Sequence, residues 1–263
     1  MILCIDSGNT MEKFSLMDAG HIKHLFRTAN NPLRTLDEYF AWLSSHFQQV
    51  NVSWEDIHFC VISSVVPKTL MNLEAFASTH FGPKRFAILT PDHPDLPIKV
   101  RVDNPLEVGS DLLGTTLGAH TLYPSQGGII LDCGTATTVT CIDEAGSFLG
   151  ALIAPGFQTS LEALFGSAAK IPPLAFSRPQ HMLGKNTLDA VNAGMYFGYS
   201  GLAEKMVFAA QTYLTQVCGL QKIVKIATGG YIPHLDLSFM DVQDSNLLFK
   251  GLWFFYENLT KYG

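Results

Sequence analysis

The sequence predicts an α/β protein of two related domains, each opening in a β-meander that continues into a mixed sheet. Three observations carry that prediction. An apolar run ends at Asp6 and turns through Ser7-Gly8-Asn9-Thr10, and the same order returns as an apolar run, Asp132, and the turn Cys133-Gly134-Thr135. Each aspartate precedes a second turn glycine, Gly20 or Gly146, by 14 residues. Strand, aspartate, small-residue turn, strand and Ala-Gly turn therefore recur in order, which is how a duplicated unit looks in sequence. The join falls near residues 114–120, giving domains 1–116 and 117–263.

The elements follow in turn. Residues 1–6, 13–17 and 21–26 read as three strands around the turns at Gly8 and Asp18-Ala19-Gly20. Thr35-Leu36-Asp37-Glu38 has capping-box spacing and opens an amphipathic helix to about residue 50. Residues 58–63 form a continuous apolar strand, Val66-Pro67 leads into a helix near 70–80, and 86–89 is another strand. The stretch 90–105 carries four prolines and reads as a loop, with an edge strand expected at 98–102. In the second half, residues 128–131, 139–142 and 148–153 repeat the meander. Asn186 and Thr187 cap a long helix reaching about residue 217, whose glycines at 194, 198 and 201 would let another helix approach closely, inside the molecule or across a dimer. A strand at 222–227 runs into Thr228-Gly229-Gly230, and a helix over 247–262 closes the chain.

Composition narrows the function. The 263 residues are 47% hydrophobic and 15% charged, with a net charge of −6. Such an acidic chain has no electrostatic footprint for nucleic acid or an anionic membrane, so an anionic ligand must be held by local geometry. No apolar run approaches the ~20 residues of a membrane span. The opening Met-Ile-Leu-Cys-Ile-Asp lacks the basic start of a secretory signal. The five cysteines show no CxxC spacing and sit mostly in apolar runs, as buried reduced thiols of a cytoplasmic protein do. No histidine pair has the spacing of a metal site.

The two Asp-x-Gly turns are the candidate chemistry. A glycine lets the backbone come close to a ligand, and successive N–H groups with Asn9 and Thr10 aim donors at an anion. Lys13 adds a positive charge. Asp6 would repel phosphate by itself, and its use beside one is to orient hydrated Mg²⁺. Asp132 and the hydroxyls around Thr135 repeat the device, and Gly229-Gly230 supplies a third close approach. Asp111, after a glycine-bearing turn and at the start of a helix, is placed either to cap that helix or to accept a proton from an attacking hydroxyl. Gly184-Lys185-Asn186-Thr187 lacks the upstream glycine of a P-loop.

These residues resemble the type III pantothenate kinases of the acetate and sugar kinase/Hsp70/actin superfamily, over essentially the whole chain. The likeness rests on Asp6-Ser7-Gly8-Asn9-Thr10 with Lys13, Ser63-Ser64-Val65-Val66-Pro67, Asn104-Pro105-x-x-Val108-Gly109-x-Asp111 and Asp132-x-Gly134-Thr135-Ala136-Thr137-Thr138. Ala154-Pro155-Gly156, Gly184-Lys185-Asn186-Thr187 and Ala227-Thr228-Gly229-Gly230 extend it. The resemblance implies two actin/Hsp70-like (ribonuclease H-like) domains with an ATP cleft between them, and phosphorylation of pantothenate to 4′-phosphopantothenate, the first step of coenzyme A synthesis. It implies that Asp6, Ser7, Gly8, Asn9, Thr10, Met11, Glu12, Lys13 and Thr135 hold ATP with Mg²⁺. Asp132 would bind a monovalent cation, K⁺ or NH₄⁺. Asp111 would be the general base, and Val102, Gly109, Ser110, Leu112 and Thr187 would line the pantothenate site, Thr187 across a homodimer interface.

The chain departs from the family at that acceptor site. Leu112 stands where arginine normally follows the aspartate, Val102 where tyrosine is common, and Ala168 where a threonine is usual. Losing the arginine fork removes donors that Arg101, Lys170 or Arg178 could replace. Two alternatives thus stand beside pantothenate kinase: a kinase for another small alcohol, and a non-catalytic nucleotide-binding accessory protein.

Overall fold

Continuous apolar runs build the centre of the first sheet, because successive side chains of a strand point to opposite faces and here both faces are covered. In the computed structural model, which describes residues 1–167 and 178–262, the meander is β1 (Ile2–Ser7), β2 (Met11–Asp18) and β3 (His21–Ala29). Helix α1 (Leu36–Gln49) follows, with Thr35 and Glu38 forming the expected capping box. Strand β4 (Phe59–Ser64), helix α2 (Pro67–Phe81) and the short β5 (Phe86–Ile88) complete a five-stranded sheet of order β3-β2-β1-β4-β5. The meander pairs antiparallel, while β1–β4 and β4–β5 are parallel. One face, with Leu3, Ile5, Phe14, Leu16 and Ile62, packs with Leu43 and Phe47 of α1 and Leu73 and Phe76 of α2. The other face carries Ile2, Cys4, Met17 and Val61. The edge strand expected at 98–102 does not form; the stretch keeps only an isolated bridge at Val100. Helix α3 (Ser110–Leu122) then begins, placing Asp111 in its first turn.

The second unit repeats the topology. Strands β6 (Gly127–Cys133), β7 (Ala136–Ile142) and β8 (Phe148–Pro155) form its meander, followed by α4 (Phe157–Ser167), α5 (Thr187–Gln216), β9 (Ile223–Thr228) and β10 (Val242–Gln243). The sheet order β10-β9-β6-β7-β8 is the first order read in reverse. Registers agree as well: Asp6 faces Lys13 and Ser63, and Asp132 faces Thr138 and Thr228. Both meanders shift register at the same level, after Leu16 and after Cys141. Gly20 and Gly146 adopt φ of 77° and 76°, the left-handed turn that glycine takes without cost.

The expected division at residue 116 is corrected. The chain separates into Met1–Leu122 with Asn246–Gly263, and Tyr123–Ser245, so residue 116 lies inside α3. The final helix α6 (Leu247–Tyr262) belongs to the first unit. Glycine explains its allegiance. A Cβ on Gly251 would lie 1.9 Å from the Gly114 carbonyl oxygen, and one on Gly118 would lie 2.2 Å from that of Leu247. The α3 and α6 backbones therefore touch, and Phe249, Leu252 and Phe255 bury against Ile2, Cys4 and Val61. By contrast, a Cβ on Gly194, Gly198 or Gly201 of α5 would meet nothing within 4 Å. Among the described residues no helix packs on that stripe.

Candidate active site

Strand parity sorts the first loop. Asp6 and Lys13 are register partners on the face that carries Ile2 and Cys4, whereas Ser7 and Glu12 are partners on the face covered by α1 and α2. The Lys13 ammonium donates to Asp6 Oδ2 at 3.0 Å. The Glu12 carboxylate is wholly buried on the opposite side, accepting from Arg34 at 2.9 Å and from the Tyr39 hydroxyl. Its side chain thus supports the sheet and lies away from the loop's open tip. Ser7 is buried too, with a hydroxyl that has no hydrogen-bond partner among the described residues. Met11 is exposed, as are Asn9 and Thr10 at the tip. Gly8 N–H closes the turn on Met11 O at 3.0 Å.

Asp111 is brought to this group by α3. The buried Ser63 hydroxyl, next to Asp6 in the sheet, donates to Ser110 Oγ at 3.1 Å and ties β4 to the helix start. Asp111 Oδ1 accepts the Leu112 amide at 2.8 Å. A Cβ on Gly109 would fall 2.5 Å from that same oxygen, so glycine makes the room the carboxylate occupies. Burial holds the Asp111 carboxyl above the ordinary range, with the Asp6 charge adding to it; the Leu112 amide and Lys13 pull partly the other way. The result is a poorly solvated carboxylate with raised basicity, beside a lysine and at a helix N-terminus. Leu112 contributes its amide to the carboxylate, and its side chain and that of Val102 are half-buried.

In the second unit Asp132, next to last in β6, is half-buried and Thr135 is exposed in the turn, with Gly134 N–H bonded to Ala136 O at 3.0 Å. Two glycines crowd this loop. A Cβ on Gly229, at φ of 99°, would lie 2.5 Å from Asp132 Oδ1, and one on Gly156 would lie 2.2 Å from Thr135 O. Neither position admits a side chain, so both backbones pass directly against the loop. Thr187 opens α5, exposed, one residue after its cap Asn186, whose Oδ1 accepts Asp189 N–H at 2.9 Å. Ala168 and Lys170 lie outside the described residues. Among the described residues no three His, Cys, Asp or Glu side chains converge as a metal cage. A divalent ion here would take single carboxylates such as Asp6 and draw its other ligands from phosphate and water, the habit of Mg²⁺.

Two site residues were missed in the sequence. Ser63 was quoted only as part of a motif, yet its hydroxyl joins the Asp6 strand pair to Ser110; its parity with Asp6 was the available signal. Asn30, which bonds the first loop, stands outside every motif and just past the third strand.

Comparisons with known proteins converge. The family model described as type III pantothenate kinase matches residues 2–209. A type III pantothenate kinase of Zymomonas mobilis is 38% identical over 98% of this chain and 92% of its own. One from Rhodospirillum rubrum is 37% identical over 96% of each, and one from Maricaulis maris is 35% identical over 96% and 95%. Solved structures share the fold at low identity. A Campylobacter jejuni protein titled as a Baf family transcriptional activator superimposes with a TM-score of 0.60 at 16% identity, covering 99% of this chain and 100% of its own. MreB 5 of Spiroplasma citri, bound to AMPPNP, does so at 0.56 and 11%, covering 99% and 97%.

Proposed function

The chain belongs to the type III pantothenate kinase family, and from that premise we propose which of its residues perform the reaction. The protein is a kinase that phosphorylates pantothenate with ATP, the step that opens coenzyme A synthesis. The relatives favour this acceptor over the other alcohols and the accessory role that the sequence left open.

Asp111 is the general base. The observation that carries this reading is its carboxylate, buried in the space left by Gly109 and raised in basicity by burial and by Asp6. It accepts the proton of the primary hydroxyl as that oxygen bonds to the γ-phosphorus and the bond to the β-phosphate oxygen breaks, releasing ADP. The Asn9 and Thr10 groups with Lys13 hold phosphate oxygens, and Asp6 orients the hydrated divalent ion. The ion supplies charge neutralisation on the phosphates. Gly8 supplies backbone that can come close to a phosphate, and within the second unit Gly156 and Gly229 bring backbone against the Asp132–Thr135 loop. Ser110, Leu112, Val102 and Thr187 border the acceptor.

Asp132 is the monovalent-cation ligand: a half-buried carboxylate with the Cys133 carbonyl close to the same point beside Gly229 is an oxygen set suited to K⁺ or NH₄⁺. A homodimer accounts for the exposed apolar side chains of α5, Leu188, Phe197, Leu202, Phe208 and Tyr213, together with its open glycine stripe. The cytoplasm is the proposed compartment, in keeping with five free cysteines. The deciding experiment is Asp111→Asn: pantothenate-dependent ADP release falls to background while calorimetric ATP binding persists. Turnover near wild type would remove Asp111 from the role.

A further inference from the structure

Each of the two loops has a support of the same kind within its own unit. In each meander, the residue just past the third strand donates its backbone N–H to a carbonyl of the loop. Asn30 N–H bonds Thr10 O at 3.0 Å, and Gly156 N–H bonds Thr135 O at 3.1 Å. These are corresponding positions, since Met11 pairs Ala29 and Ala136 pairs Pro155 at the strand ends. The second unit adds the Thr159 hydroxyl on Thr135 O at 2.8 Å. The first unit instead uses the Asn30 side chain, whose Nδ2 donates to Gly8 O at 2.6 Å. Glycine at 156 could carry no such side chain, because its Cβ would lie 2.4 Å from Gly134 O.

The Asn30 amide is fixed in orientation. The fully buried Thr69 hydroxyl, in the first turn of α2, donates to Asn30 Oδ1 at 2.9 Å. Turning the amide over would set its oxygen against the Gly8 carbonyl, so only one orientation satisfies both neighbours. In a trans peptide the C=O and N–H point in opposite directions. Pulling the Gly8 carbonyl toward Asn30 therefore aims the Asn9 N–H the other way, out of the loop.

We propose that Asn30 is a positioning residue for phosphoryl transfer, and that Thr69 acts through it. Together they hold the Gly8–Asn9 peptide with its N–H aimed at the nucleotide's phosphates. The inference rests on the reading of this turn as a phosphate loop.

The test measures kcat and both KM values, with melting temperature, for Asn30→Ala, Thr69→Val, Thr69→Ser and the Asn30→Ala/Thr69→Val pair. Losing one aimed charge-assisted donor raises the KM for ATP by about tenfold in Asn30→Ala. The KM for pantothenate stays within about twofold, as expected of a group that serves only the nucleotide. Thr69→Val moves the ATP KM in the same direction, Thr69→Ser restores it, and the pair is no worse than Asn30→Ala alone. An unchanged ATP KM in Asn30→Ala, equal shifts in both KM values, or additive losses in the pair would overturn the proposal. If Asn30→Ala does not fold, the Thr69→Val and Thr69→Ser comparison decides on the same readout. Lys13→Ala is measured alongside: an unchanged ATP KM there would overturn the phosphate-loop reading itself, whereas a raised one with silent Asn30 and Thr69 variants would overturn only the positioning role.

Discussion

Replacing Gly109 with alanine tests the base through its surroundings and leaves Asp111 itself in place. The new Cβ would stand 2.5 Å from Asp111 Oδ1, where ordinary contact begins near 3.4 Å. The oxygen must therefore retreat by about 0.9 Å, and a misplacement of about 1 Å at a reacting group costs on the order of a hundredfold in rate. Retreat also breaks the 2.8 Å bond from the Leu112 amide, which aligns the carboxylate. The fold itself should tolerate the change. The atom displaced is the end of a rotatable side chain, and the next neighbour, Val65 Cγ1, sits at 3.4 Å, the limit of ordinary contact. Steady-state assay of ADP release, with each substrate varied, should show kcat reduced about a hundredfold and the KM for ATP within about twofold, at a melting temperature within a few degrees of wild type. A Gly109→Ala enzyme that kept its kcat within about threefold would refute the claim that this carboxylate must sit where it does.

Two further outcomes follow from the same geometry. Asp111→Asn should melt higher than wild type at neutral pH, because burial raises the folded carboxyl above its unfolded value and an ionised Asp111 therefore costs stability. The advantage is complete above the folded pKa and disappears as pH falls below the ordinary aspartate value, so melting curves across pH that show no such narrowing would contradict it. Arg34→Met should cost about 3–5 kcal/mol in urea unfolding, since it strands the Glu12 carboxylate in a buried site, and Glu12→Gln on that background should recover much of the loss.

The duplicated framework was legible because its signals are local. The two Asp-x-Gly turns, the 14-residue spacing to Gly20 and Gly146, and the Thr35 capping box each sit within one short stretch. What stayed hidden depends on partners far along the chain. Helix α4 follows Gly156 directly, and no Ser, Thr, Asp or Asn stands in Ala154-Pro155-Gly156 to announce it. The allegiance of α6 is decided by Gly114, Gly118 and Gly251 meeting backbone to backbone, a contact between segments more than a hundred residues apart. At the site, Asp6, Lys13 and Asp111 could be picked from residue type. The resemblance counts Glu12 with them, and strand parity places its side chain on the other face. The strand expected at 98–102 is reduced to the Val100 bridge.

The return of the last helix to the first unit sets an order on biosynthesis. A chain emerges from the ribosome N-terminus first and its domains generally fold as they appear. Here the N-terminal sheet cannot finish on schedule: Ile2, Cys4 and Val61 wait for Phe249, Leu252 and Phe255, which are made only after the whole of the second unit. The Tyr123–Ser245 unit, wholly continuous in the chain, can be completed while that apolar sheet face still lacks α6. The nascent protein thus carries its exposed face until α6 has been made, and the docking of that helix is the event that seals it.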